Sequence, residues 1–252
     1  MPKPISIQLY TLRDQSEKDF RGVIEEVGRI GYAGVELAGL YGLLAADVRK
    51  LVEDNGMRVS STHVQGRVDG DDIDRIADEA AATGAPFMVV PFLPPDRFTS
   101  ADSVRKLAER ISRAVEPTEA RGMKLAYHNH NFEFVDVDGR TAYDVFVEAL
   151  DPRVLLEVDI YWAQTGGADP AALVKELGPR VQLLHVKDGP CTTSDPMLAV
   201  GDGKVDVPGV LAANDSVEWH IVELDRYDGD MWDAVRRSYD YLVGNGLSVG
   251  KA

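Results

Sequence analysis

Four of the five histidines, His63, His128, His130 and His185, end or closely follow short apolar runs. Asp159 and Glu223 end two more. Imidazole nitrogens and carboxylate oxygens are ligands for divalent cations, and a set without thiolate suits Mn²⁺, Mg²⁺, Co²⁺ or Zn²⁺. A single histidine in such a place is ordinarily a satisfied core residue, and a single aspartate ordinarily caps the helix that follows. The joint pattern is different. Ionisable groups delivered to one place by successive runs stand together at a cost that a bound cation removes. The expected metal ligands are Asp159, His185 and Glu223, with His128 as the fourth.

The stretch Tyr127-His128-Asn129-His130-Asn131-Phe132-Glu133-Phe134 packs two histidines, two asparagines and a glutamate into eight residues. So many directional donors and acceptors suit a loop that faces a ligand. His128 ends the apolar run and is the better fourth ligand, with Glu133 competing for that place. His130 and Glu133 otherwise face substrate. The chemistry that follows is proton abstraction beside a carbonyl, with Glu223 and either Glu133 or His130 moving the proton while a metal stabilises the enediolate. Return of the proton gives epimerisation or isomerisation, and loss of a β-hydroxyl gives dehydration. The same groups serve both outcomes. Lys187 and Asp188 directly follow His185 and are expected on substrate oxygens, Lys187 within the catalytic set. Gln8, Tyr10, Glu36 and His63, at the ends of the first three runs, are expected substrate contacts. Trp162 joins them, its ring stacking on a sugar face or sealing a rim.

The elements that carry these residues repeat. The apolar runs are Ile5–Tyr10, Gly34–Leu37, Arg58–His63, Phe87–Phe92, Lys124–Tyr127, Val154–Asp159, Val181–His185 and Trp219–Glu223. Short runs rich in Val, Ile and Leu suit strands buried on both faces of a parallel sheet. Helical periods lie between them, as in Phe20, Val23, Ile24, Val27 and Ile30 before Gly31. Another begins at Ser100, a plausible N-cap, carries Val104, Leu107, Ile111 and Val115, and ends by Gly122. A third uses Met231, Val235, Tyr239 and Leu242 before Gly244. The helix after the seventh run is poor, because Val207–Ala213 contains Pro208 and Gly209. The last special residues of the runs are Gln8, Glu36, His63, Pro91, His128, Asp159, His185 and Glu223. Subtracting neighbouring numbers gives 28, 27, 28, 37, 31, 26 and 38, mostly one βαβ repeat of roughly 30 residues. Eight repeats without a linker imply one (β/α)₈ barrel over residues 1–252, whose C-terminal strand ends would hold the site. An open doubly wound sheet is the alternative, but no G-x-G-x-x-G follows the first run.

Composition bounds the rest. A chain of 252 residues with 44% hydrophobic and 27% charged residues is an ordinary globular protein. Acidic residues exceed basic ones by 42 − 27 = 15. That balance argues against nucleic acid, and a metal-dependent endonuclease would need a basic track. The lone Cys191 excludes an intramolecular disulfide. No leader-like stretch follows Met1 and no apolar run nears the ~18 residues of a membrane span, so a cytoplasmic protein without membrane contact is expected. The family resemblance given below implies a small sugar or polyol as partner; with no clear glycine loop for phosphate, an unphosphorylated ketose, inosose or keto-glycoside is then preferred. Homo-oligomerisation stays open. A catalytically inactive sugar-binding barrel would have little reason to keep Asp159, His185 and Glu223 together.

The whole chain resembles the xylose-isomerase-like TIM barrels, which include sugar-phosphate isomerases and epimerases, ketose 3-epimerases, inosose dehydratases and endonuclease IV. The carriers are Ser6-Ile7-Gln8-Leu9-Tyr10, Gly34-Val35-Glu36-Leu37, the His-Asn-His segment, Val158-Asp159-Ile160-Tyr161-Trp162, His185-Val186-Lys187-Asp188, Val200-Gly201-Asp202-Gly203 and Val222-Glu223. The resemblance implies a divalent metal held by Glu, Asp, His and Glu on strands five to eight, the last three matching Asp159, His185 and Glu223. His128 stands where ketose epimerases have the first Glu, one of the two that exchange the substrate proton there. The His-Asn-His segment is instead similar to the inosose dehydratase branch.

Overall fold

The computed structural model describes residues 1–64, 68, 70 and 72–251. Each apolar run forms a strand whose ends lie within two residues of expectation: β1 Lys3–Gln8, β2 Gly34–Leu37, β3 Arg58–His63, β4 Phe87–Val90, β5 Lys124–His128, β6 Leu155–Asp159, β7 Val181–Val186 and β8 Trp219–Val222. Neighbours pair in parallel in chain order, and β1 pairs with β8, Ile5 opposite His220 and Ile7 opposite Val222. The sheet is therefore a closed (β/α)₈ barrel.

The helices differ from expectation where a single residue intervenes. The first spans Arg13–Ile30, seven residues longer at its start than the Phe20 stripe. It bends at Asp19 (φ −154°), whose carboxylate accepts the Gly22 N–H and restarts the helix in mid-course. Gly31, at φ +117°, ends it in a conformation that glycine adopts without strain. Ser100 caps Ala101–Ser112 through the Ser103 N–H, 3.2 Å away. The helix expected to run on to Gly122 stops there and resumes as Val115–Glu119, because Pro117 lacks an N–H and its ring crowds the preceding turn. The doubtful segment after β7 does form a helix, Val207–Ala212. Pro208 falls in the first turn, where no N–H is required, and Asp206 caps the Gly209 N–H. A hairpin of Asp136–Val137 with Arg140–Thr141, and a last strand Ser248–Val249 beside β1, lie outside the eight-unit pattern. Among the described residues, no helix is long and apolar enough to cross a membrane.

The barrel interior is layered. Its floor is an apolar cluster including Phe87, Val89, Ala126, Leu183, Trp219 and Ile221, separate from the larger core between sheet and helices. Above it, alternation sends residues two apart to one face. Glu157 and Asp159, His185 and Lys187, and Ser61 and His63 therefore point the same way. The register sets Gln8 opposite Glu36, His128 opposite Glu157, and Asp159 opposite His185.

Candidate active site

The deepest polar layer joins six strands. Glu36 accepts from Gln8 Nε2 at 2.7 Å and from Ser61 Oγ, and its Oε1 lies 2.6 Å from His185 Nε2. His63 Nε2 sits 2.7 Å from Glu157 Oε2 and 3.1 Å from Glu36 Oε1. Burial opposes charge on His63, but Glu36 and Glu157 outweigh it and raise its pKa to about 9. Burial pushes Glu157 up and would do the same to Glu36, yet His63 and His185 hold Glu36 well below the usual carboxylate range. His128 has no such compensation, and burial keeps it neutral.

One layer higher, at the pocket wall, the Lys187 ammonium is clasped by Glu223 Oε2 at 2.6 Å, Asp159 Oδ2 at 3.0 Å and Asp225 Oδ2 at 3.0 Å. Asp159 divides its two oxygens. Oδ1 caps the helix Ile160–Thr165 by accepting the Trp162 N–H at 2.7 Å, while buried Oδ2 has no hydrogen-bond donor and faces Lys187. Asn129 fixes this strand end by accepting the Asp159 N–H at 3.0 Å. Burial raises Asp159 to about 6 even beside Lys187. Burial also works against the charge of Glu223, but Lys187 and His185 together hold it well below the ordinary range. His185 therefore stands between the layers, its Nδ1 2.8 Å from Glu223 Oε2 and its Nε2 facing Glu36.

The loop after β5 presents His130 and withdraws Glu133. His130 lines the pocket with Tyr10, His63, Phe92, His128, Trp162, Lys187, Glu223 and Asp225. Its ring stacks on Phe132 (5.3 Å, 12°) and lies near Trp162, and burial lowers its pKa to about 3. Glu133 is fully buried behind this loop, accepting Tyr127 Oη–H at 2.7 Å and the His130 N–H at 2.9 Å. Burial raises Glu133 to about 7 against the pull of those donors.

Several expected contacts are placed differently. Asp188, expected on substrate, is buried and spends both oxygens on the backbone N–H groups of Gly189, Gly201, Gly203 and Val205 at 2.8–3.1 Å. It folds the loop after β7; a Cβ at Gly203 would collide with this carboxylate. Gln8 and Glu36 lie in the deep layer rather than on the pocket wall. Glu133 anchors the loop instead of lining the pocket. His128, Asp159, His185 and Glu223 do converge, with donor atoms within 4.8 Å of one another. So do His63, His128, Glu157 and His185. Glu157 and Asp225 escaped the reading from sequence; the signal for Glu157 was its spacing of two from Asp159, which gives both one face. Both clusters combine imidazole and carboxylate donors with orphaned buried atoms, a composition compatible with a divalent cation.

The model of the xylose isomerase-like TIM barrel family matches residues 24–231. The chain belongs to that family. A 2-epi-5-epi-valiolone 7-phosphate 2-epimerase of Actinoplanes sp. (strain ATCC 31044 / CBS 674.73 / SE50/110) is 32% identical over 195 residues, 73% of this chain and 66% of that protein. An inosose dehydratase of Geobacillus kaustophilus (strain HTA426) is 34% identical over 83 residues, 32% of this chain and 26% of that one. The chain thus spans just under two thirds of the first relative and about a quarter of the second. A solved sugar phosphate isomerase/epimerase from Parabacteroides distasonis ATCC 8503 is 27% identical with a TM-score of 0.81, over 98% of this chain and 96% of that one.

Proposed function

We propose that the chain moves a proton at the carbon beside the carbonyl of a polyhydroxy ketone, epimerising or isomerising a keto-sugar or cyclitol ketone. The observation that carries this reading is the clasp of Lys187 between Asp159 and Glu223 in the wall of an open, aromatic-sided pocket. Glu223 stays ionised at neutral pH and is the proton acceptor. Lys187 stays charged, so an N–H turned from one of its three carboxylates to the substrate can stabilise negative charge growing on the carbonyl oxygen. His130, neutral and on the β5 side of the pocket, can hydrogen-bond a substrate oxygen there. Tyr10, Phe92 and Trp162 offer ring faces to the C–H surface of a sugar. A divalent cation held by Asp159 and Glu223 with His128 and His185 would polarise the ketone oxygen. The named activity of the 2-epimerase relative supports the reading.

Dehydration is the second reading. It is favoured by Lys187, an acid within the site that can protonate a departing hydroxyl, and by the likeness to an inosose dehydratase. NMR of inososes and ketohexoses, with and without phosphate, in deuterated water with Mn²⁺ separates the two. Epimerisation yields a new stereoisomer carrying deuterium beside the carbonyl, and dehydration yields an unsaturated product one water lighter. Neither change with any of these ketones would overturn the reading.

A further inference from the structure

We infer that His63, His128, Glu157 and His185 form a cation site of their own, one layer deeper in the barrel than the Lys187 clasp. Three imidazole nitrogens converge on one carboxylate oxygen. Glu157 Oε2 lies 2.7 Å from His63 Nε2 and 3.1 Å from both His128 Nδ1 and His185 Nε2. Glu36 Oε1 flanks the cage as a neighbour of two of its rings, 2.6 Å from His185 Nε2 and 3.1 Å from His63 Nε2. Ligand atoms about 2.1 Å from a shared zinc-sized ion lie about 3.0–3.4 Å apart; the edges from Glu157 to His128 and His185 have that spacing, while the edge to His63 has a hydrogen-bond length.

Hydrogen bonding accounts for only part of the cage. His128 Nδ1 is close to Glu157 Oε2 yet has no hydrogen-bond partner, and Glu157 Oε1 has none either, although both atoms are buried. Lone pairs that aim at a common centre, rather than along the line joining two atoms, produce this geometry. Charge allows the same occupant. Glu36 and Glu157 carry −2 between them, which one divalent cation cancels when the rings are neutral and which protons on His63 and His185 otherwise offset. Protons alone would crowd imidazolium charge among rings whose centroids are only 4.4–5.3 Å apart.

Register slips flank both carboxylates, with the extra residue on the neighbouring strand: Ser60 against the Val35–Glu36 step and Gln182 against the Leu156–Glu157 step. The cage is also atomically distinct from the upper set, since His185 turns Nε2 to the cage and Nδ1 to Glu223. A cation in the cage would fix that ring and so position Glu223. Three nitrogens and one carboxylate select Zn²⁺ or Co²⁺ over Mg²⁺. The cage does not rest on the reaction proposed above, although it shares His128 and His185 with the upper cation set.

The test uses chelator-treated full chain titrated with Co²⁺ and with Zn²⁺, reading bound metal by mass spectrometry and the visible absorption of cobalt. Glu157→Gln and His63→Gln should each lose one tightly bound equivalent and the cobalt spectrum belonging to it, with circular dichroism unchanged. Asp159→Asn should keep that equivalent. Should Glu157→Gln not fold, His63→Gln carries the test, because His63 lies partly exposed at a strand end. The inference is overturned if His63→Gln retains the wild-type stoichiometry and spectrum. It is equally overturned if the wild type binds neither ion tightly, or if Asp159→Asn alone abolishes all binding. That last result would leave the upper set as the metal site.

Discussion

Removing the Lys187 ammonium would leave Asp159, Glu223 and Asp225 facing one another without a counter-charge. Breaking a buried pair in this way costs about 3–5 kcal/mol. Lys187→Met should lower the unfolding free energy by that order at pH 7 in a urea titration. The loss should shrink at pH 5, because Asp159 is already raised to about 6 and takes up a proton there. Turnover should fall by about 10²–10⁴-fold; wild-type stability at pH 7 would place the counter-charge elsewhere. Glu133 gives a second residue-scale expectation. Its folded pKa of about 7 lies above the ordinary 4.5, so the folded state keeps a proton that the unfolded chain releases. The wild type therefore loses stability as pH rises from about 4.5 to 7, and Glu133→Gln has no such slope. Between pH 5 and pH 8 the wild type should lose about 2–3 kcal/mol relative to the variant. Parallel stability curves would remove Glu133 from its buried place behind the loop.

The helices are tested by packing. Leu107 lies buried in the helix Ala101–Ser112 against the outside of the barrel. Leu107→Ala should cost about 2–5 kcal/mol by cavity formation, measured by urea denaturation, while turnover per folded molecule stays at wild-type level. Lost turnover without lost stability would take this helix out of the supporting ring. The same scale shows what could be read from sequence. Strands were legible because hydrophobic runs of fixed length recur between helical periods, and Asp159, His185 and Glu223 stand out because each interrupts or ends such a run. Glu157 hides inside the run Leu155-Leu156-Glu157-Val158-Asp159. Its partner His63 is 94 positions away, and only closure of the barrel brings them together. The Asp188 turn was misjudged for a related reason: four backbone donors in a loop without periodicity leave no trace in residue types. The break at Pro117 was visible, but the Leu107–Ile111–Val115 period argued across it.

At the scale of the whole molecule, β8 and the last strand trap His220, whose Nδ1 meets Ser248 Oγ at 2.9 Å. Burial lowers its pKa from 6.5 to about 4, with Lys3 adding to the effect. The unfolded chain therefore binds a proton that the folded one refuses, and stability is lost as pH falls from about 6.5 to 4. Between pH 7 and pH 5, His220→Gln should escape about 2 kcal/mol of the loss seen in the wild type. Equal losses, followed by urea denaturation at both pH values, would show that His220 is not the group responsible.

The closed apolar floor has a consequence for isotopes. With Phe87, Leu183, Trp219 and Ile221 sealing the barrel from below, a proton taken from substrate can leave only through the mouth, past the substrate itself. If the proposed reaction runs through Glu223, a hydrogen taken up there is partly returned to the carbon it came from or its neighbour. In deuterated solvent a measurable share of product molecules should keep protium. That retained share should shrink when bulky rim residues such as Phe92 are cut back to alanine and the mouth opens to solvent.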